Sequence, residues 1–295
     1  MNWFELLQQA IDYMEDHLLD DINYEDVAKS VQMSSYNFHR TFSLMAGMTA
    51  NVYIRNRRLS LAGQELQTTN HKIIDLCYKY GYETPESFAK AFTRFHGVSP
   101  KSAKLSGTPL ILFNPLLIKL SLEGGKAMDY RIETTGKQRF MASVRPFKND
   151  TINDENNQEI ANFWSDLQAN QGLAPLENLR PHGKKDFYGL CSPTVATETT
   201  FDYGIGVLLD DETLPFNEAQ LLKAGFQLWE VAPTTYVVLN CYGDNGDCIG
   251  EMWEKFLKEF SPQTGYTQTD ETDYELYFEK SEPGLFCELW IPVTK

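Results

Sequence analysis

The chain has no run approaching the ~18 consecutive apolar residues that a membrane span requires. Its start, Met1-Asn2-Trp3-Phe4-Glu5, carries neither the basic nor the apolar stretch of a signal peptide, so a cytoplasmic location is expected. The five cysteines (77, 191, 241, 248, 287) include no CxxC pair and join no histidine cluster, which argues against a zinc site or a disulfide framework. G-x-S-x-G, a Cys/His couple, a phosphate loop and a readable carboxylate pair are all missing, so no catalytic residue, metal or cofactor is expected. Positive charge is scarce as well: 26 Lys and Arg stand against 41 Asp and Glu, for a net charge of −15. With 295 residues, 42% of them hydrophobic, about two packed domains are expected.

The basic residues are concentrated. Residues 1–26 hold eight acids and no Lys or Arg, whereas 27–106 hold eleven basic side chains against four acidic, a net of +7. Residues 107–295 are acidic again, at −14. Only the middle segment has the sign to meet a phosphate backbone. It also says nearly the same thing twice. Val27-Ala28-x-x-Val31-x-Met33-Ser34, Phe38-x-x-x-Phe42 and Gly47-Met48-Thr49 return as Leu76-Cys77-x-x-Tyr80-Gly81-Tyr82-x-Thr84, Phe88-x-x-x-Phe92 and Gly97-Val98-Ser99. The offset is 49 at first and 50 from the phenylalanines onward, which predicts one extra residue in the second turn. Each copy is a helix, a tight turn and a helix, the layout of a helix-turn-helix. Two such units can enter successive major grooves, roughly 34 Å apart, without a dimer. A long helix over 49–67 would fix their spacing, and an amphipathic acidic helix over 3–19 precedes them.

Beyond residue 128 strand signals dominate, at 140–144, 186–191, 201–209, 226–231, 235–240, 274–278 and 286–293. Amphipathic helices over 158–170 and 249–260 interrupt them, with Trp164 and Trp253 at equivalent positions on inward stripes. Strand, helix and two strands occur twice, predicting an α+β domain of two βαββ halves. Residues 107–127, with Pro109, Pro115 and Gly124-Gly125, read as a linker. The expected fold is multidomain: an all-α tandem helix-turn-helix DNA-binding domain at 1–106, then an α+β domain at 128–295.

Asp26-Val27-Ala28, Phe38-His39-Arg40-Thr41-Phe42, Gly47-Met48, Tyr53-Ile54-Arg55-Asn56-Arg57-Arg58-Leu59 and the ordered run from Gly81-Tyr82 and Pro85-Glu86-Ser87-Phe88 to Gly97-Val98-Ser99-Pro100 resemble the AraC/XylS family of bacterial transcription regulators, over residues 5 to 106. The family usually has Gly in the first turn where this chain has Gln32. Only Gly adopts positive φ freely, so that turn is expected to be strained by ~1 kcal/mol or built differently. The Trp253 helix followed by Gly265-Tyr266, and the closing strand Phe286-Cys287-Glu288-Leu289-Trp290-Ile291-Pro292-Val293, resemble the gyrase-inhibitor-like effector-binding domain. Together the resemblances imply a ligand-responsive regulator whose partners are double-stranded DNA, RNA polymerase and a small, cationic or amphipathic effector.

The AraC/XylS resemblance exposes Tyr36, Asn37, His39 and Arg40 to the major groove on the first reading helix, and Glu86, Ser87, Lys90 and Arg94 on the second. Arg40 can donate two hydrogen bonds to guanine O6 and N7, and Asn37 can pair with adenine. Arg40→Ala is expected to cost ~1–3 kcal/mol of binding and to relax one base position. Arg55, Arg57 and Arg58 on the linking helix could contact phosphate or pair with the acidic N-terminal helix. In the closing strand, alternation places Phe286, Glu288 and Trp290 on one face. A carboxylate flanked by large aromatics is costly unless it meets a cation or water. Glu288 is therefore the candidate ligand anchor, and the gyrase-inhibitor-like resemblance places the pocket glutamate there too. Tyr188 and Tyr274, with Tyr203, Trp229 and Tyr277, are candidate walls. The bland alternative is a wet sheet face with Glu288 paired to a lysine and the aromatics in the core. An enzyme, or a protein-binding module on the second domain, are the competing functions.

Overall fold

The computed structural model describes residues 3–105, 107–118, 128–149, 158–177, 179, 186–193, 199–209, 218–279 and 282–295. The expected boundary glycines Gly124 and Gly125 lie outside the described residues. The described residues form two compact units: 3–33 with 42–118, and Ser34–Thr41 with 128–295.

Seven helices follow in order: α1 (Trp3–Asp16), α2 (Tyr24–Ser30), α3 (Ser35–Ala46), α4 (Ala50–Thr68), α5 (Ile73–Lys79), α6 (Pro85–His96) and α7 (Pro100–Ala103). The repeat is exact in length, since α2 and α5 each have seven residues and α3 and α6 each have twelve. The turn at 80–84 is one residue longer than that at 31–34, as the change of offset predicts. Helix starts carry side-chain caps. Asn23 and Asp26 form a capping box on α2, and the Thr49 and Thr84 hydroxyls accept from Val52 N and Ser87 N. Phe38, Phe42, Phe88 and Phe92 are buried, as the four-residue spacing requires.

Gln32 does take the left-handed conformation, with φ 57°, where Gly81 in the second copy has φ 78°. The first turn is thus built like the second, with a residue that resists it. Gln32→Gly is expected to stabilise the chain by roughly 0.5–1 kcal/mol. At Gly81 an added Cβ would also meet Arg58 Nη1 at 3.0 Å. Gly81→Ala is expected to shift the urea midpoint the opposite way, and a pair of shifts of equal sign would refute this account of the turns.

Two of the linking-helix arginines, Arg57 and Arg58, serve the fold, whereas Arg55 is exposed. Arg57 forks onto Glu15 of α1, with Nε–Oε1 at 2.7 Å and Nη2–Oε2 at 2.8 Å, and Tyr53 donates to the same carboxylate at 2.6 Å. Burial raises the Glu15 pKa, but these hydrogen bonds outweigh it and hold the carboxyl below its ordinary value. Arg58 donates to the carbonyls of Leu18 and Asp20. Residues 108–118, expected to be a linker, have no regular secondary structure but are tied to the same unit. Ser60 Oγ accepts from Phe113 N at 2.9 Å, and His96 Nδ1 accepts from Ile111 N at 3.1 Å.

The second unit contains β1 (Tyr130–Thr135), β2 (Gln138–Lys148), α8 (Glu159–Ala169), α9 (Ala174–Glu177), β3 (Phe187–Pro193), β4 (Thr200–Leu209), α10 (Glu218–Lys223), β5 (Gln227–Val231), β6 (Thr234–Tyr242), α11 (Asp247–Lys255), a π turn over Phe256–Phe260, α12 (Ser261–Thr264), β7 (Thr267–Gln268), β8 (Asp273–Tyr277) and β9 (Leu285–Thr294). The sheet is antiparallel in the order β1-β6-β9-β8-β3-β4-β2-β5, with β7 on β9. Each half is β-α-β-β: β2, α8, β3 and β4, then β6, α11, β8 and β9. The halves meet where β8 pairs with β3, and each lends an outer strand to the other, since β1 lies on β6 and β5 on β2. Among the described residues no helix is long and apolar enough to cross a membrane.

Candidate DNA-reading helices and effector site

Helix α6 presents its reading set to solvent. Glu86, Ser87, Lys90 and Arg94 are all exposed, while Phe88, Phe92 and His96 turn inward. Thr84 at the cap and Pro85 in the first turn fix where the helix starts.

The first reading set is placed differently. Tyr36, Asn37, His39 and Arg40 were expected on an exposed face, and that exposure is corrected: each is at most 4% exposed. These residues belong to the second unit, and acidic side chains within it receive Arg40 and Asn37. Arg40 Nη2 and Nη1 reach Asp273 Oδ2 and Oδ1 at 3.0 and 3.3 Å. Nη1 also donates to Tyr36 Oη at 2.9 Å, and the guanidinium lies 3.8 Å from the Trp253 ring centroid. Burial works against charge on Arg40, but Asp273 outweighs it and raises the Arg40 pKa above its ordinary value. Asn37 donates to Asp270 and to the Thr269 carbonyl, and Gln268 donates to Asn37 Oδ1 at 2.7 Å. Tyr36 joins the apolar cluster of Phe201, Tyr203 and Cys191.

Beside this group lies a second buried acid. Glu275 is 7% exposed and sits in β8 directly opposite Gly189 of β3, at the seam between the two halves. A Cβ at position 189 would fall 2.3 Å from Glu275 Oε2 and from Tyr203 Oη, so the missing side chain makes the space they share. Tyr203 Oη donates to Glu275 at 3.1 Å and accepts from Trp164 Nε1 at 2.9 Å. Trp164 packs on Tyr277 with ring centroids 5.0 Å apart. Glu275 makes no ion pair among the described residues. Burial, and then the charge of Asp273, push its carboxyl up to about 8.

The expected ligand residues lie elsewhere on the sheet. Glu288 is satisfied by Arg131 at 2.6 Å and by Trp290 Nε1 at 3.1 Å, so its counter-charge is already present. Tyr188, Tyr274 and Trp290 are brought together in one aromatic cluster with Phe140, and Tyr274 stacks on Trp290 at 5.2 Å. Phe286 is not among them and packs on Tyr277 instead, at 5.7 Å. Tyr203 and Tyr277, expected as walls of the Glu288 site, lie away from it: Tyr203 bonds Glu275, and Tyr277 follows Glu275 by two residues on β8. Glu275 itself was missed, although Asp273, Glu275 and Tyr277 alternate along one strand.

Two protein families match this chain, the helix-turn-helix domain over residues 27–104 and the integron-associated effector binding protein over 131–293, just over half its length. The chain belongs to the integron-associated effector binding protein family. It is an AraC-type DNA-binding transcription regulator with a gyrase-inhibitor-like effector-binding domain. Among relatives of its N-terminal part, the HTH-type transcriptional activator AarP of Providencia stuartii is 34% identical over 113 residues, 38% of this chain and 82% of AarP. Regulatory protein SoxS of Salmonella typhimurium is 33% identical over 94 residues, 32% of this chain and 88% of SoxS. The solved structure of SAV2435 bound to tetraphenylphosphonium is similar to 57% of the chain and 94% of its own, at 20% identity and a TM-score of 0.46.

Proposed function

We propose that this regulator responds to a lipophilic cation held over Glu275, with Tyr203, Tyr277 and Trp164 as the aromatic surround. The supporting observation is a buried carboxylate among aromatic rings with no described cation paired to it. Such a group is costly to ionise until a positive charge arrives, and aromatic faces attract the same charge. Arg40 and Asn37, with Tyr36 and His39, read bases from the first unit of the repeat, and Glu86, Ser87, Lys90 and Arg94 from the second. RNA polymerase is the partner through which the bound regulator acts.

Calorimetric titration with tetraphenylphosphonium tests the effector site. Glu275→Gln is expected to weaken binding by ~30-fold or more, the scale of losing one partner of a buried charge pair. Equal affinities for the two chains would refute the assignment. For the DNA face, Lys90→Ala is expected to lower affinity about equally across sequences and to reduce the salt slope by ≈1. An unchanged slope in a band-shift series at varied salt would remove Lys90 from the interface.

A further inference from the structure

Arg40 brings a cation into a unit that is otherwise built to receive one. Its guanidinium forks onto Asp273, lies against the indole of Trp253 on α11 and is 4.6 Å from the ring centroid of Tyr36. Asp273 and Glu275 alternate on β8, so both carboxylates leave the same face of the sheet. An acid fork and an aromatic plane are the two elements that recognise a planar delocalised cation.

We infer that Trp253 and Asp273 form a second cation subsite beside Glu275, that Arg40 occupies it as an internal stand-in for the effector, and that a lipophilic amidinium or guanidinium compound displaces it. The inference extends the Glu275 reading of the effector and rests on it. The chemistry makes the two uses of Arg40 exclusive. One guanidinium cannot fork onto Asp273 and onto guanine O6 and N7 together. Asn37 is committed in the same way, its amide hydrogens going to Asp270 and the Thr269 carbonyl instead of an adenine. Ser34 adds a further bond to Asp270 at 2.6 Å. A ligand that binds only when Arg40 has left favours the DNA-reading state by its differential affinity for the two states.

The test uses the full chain, with 4-phenylbenzamidine as an aromatic amidinium probe and tetraphenylphosphonium as a cation without N–H donors. A duplex is selected from a random library with Asp273→Asn, and its affinity for both chains is measured. Asp273→Asn is expected to bind ~10-fold or more tightly than the unaltered chain, within the usual range of coupling between sites. Saturating 4-phenylbenzamidine should close that gap for the unaltered chain and leave the variant unmoved. An Asp273→Asn chain that selects no duplex, or binds it no more tightly, overturns the inference. Should that variant fail to fold, the unaltered chain decides. Amidine and duplex must then each raise the other's affinity by the same factor, and absent or opposite coupling overturns the inference. Loss of tetraphenylphosphonium binding in Glu275→Gln tests the effector reading separately. If that binding survives, the Glu275 assignment falls, while the Asp273→Asn comparison still decides the subsite.

Discussion

Gly189→Ala is expected to abolish binding of a lipophilic cation and to destabilise the effector unit by about 2–3 kcal/mol. The added carbon would lie 2.3 Å from both Glu275 Oε2 and Tyr203 Oη, well inside van der Waals contact. Neither side chain can retreat into solvent, because Glu275 and Tyr203 are 7% and 2% exposed. Overpacking of this kind costs ~1–3 kcal/mol, and here it falls at the seam where the two halves of the sheet join. Gly136→Ala is the control, since nothing lies within 4 Å of its added Cβ. Urea unfolding and cation titration of both variants check the expectation. If Gly189→Ala behaves like Gly136→Ala, the packing argument for the site is wrong.

The stability of the effector unit should fall as pH rises from about 4.5 to about 8. Glu275 has an ordinary carboxyl pKa of 4.5 when unfolded and about 8 when buried in the folded unit. Between those values the folded chain keeps a proton that the unfolded chain has released. The stabilisation is complete below pH 4.5 and is lost as pH passes through 8, with a limiting slope of about 1.4 kcal/mol per unit. Burial also raises the neighbouring Asp273 carboxyl against the pull of Arg40, which adds a contribution of the same sign. Tyr203, Tyr277 and Cys191 are all raised by burial and titrate above this window. Glu275→Gln should remove most of the slope between pH 5.5 and 8 and be more stable than the unaltered chain at pH 8.5. Denaturant midpoints across that range check this, and an identical slope in the two chains contradicts it.

How much could be read from the residues differs between the two parts of the chain. The tandem helix pairs were legible because Phe38 and Phe42, Phe88 and Phe92, and the glycines at 47 and 97 recur at fixed offsets, and their spacing survives folding without change. The α+β halves were legible in outline from Trp164 and Trp253. Strand β1 was missed because Tyr130–Thr135 is short, polar and at the sheet edge, with little alternation to detect. The proposed effector site was only half legible. Glu288 satisfied every local criterion of an anchor, yet its cation, Arg131, comes from a strand 157 residues earlier that pairs with β6 beside it. Glu275 became visible only when β3 brought Gly189 opposite it. The burial of Arg40 was beyond sequence reasoning for a similar reason: Asp273 and Trp253 lie more than two hundred residues away along the chain.

Counting protons during cation binding tests the central claim most directly. Burial pushes the Glu275 carboxyl up to about 8, and a cation held over it needs its ionised form. Titration with tetraphenylphosphonium in buffers of different ionisation enthalpy should therefore show close to one proton released per cation bound, and none in Glu275→Gln. Binding of equal strength without proton release would place the positive charge somewhere other than Glu275.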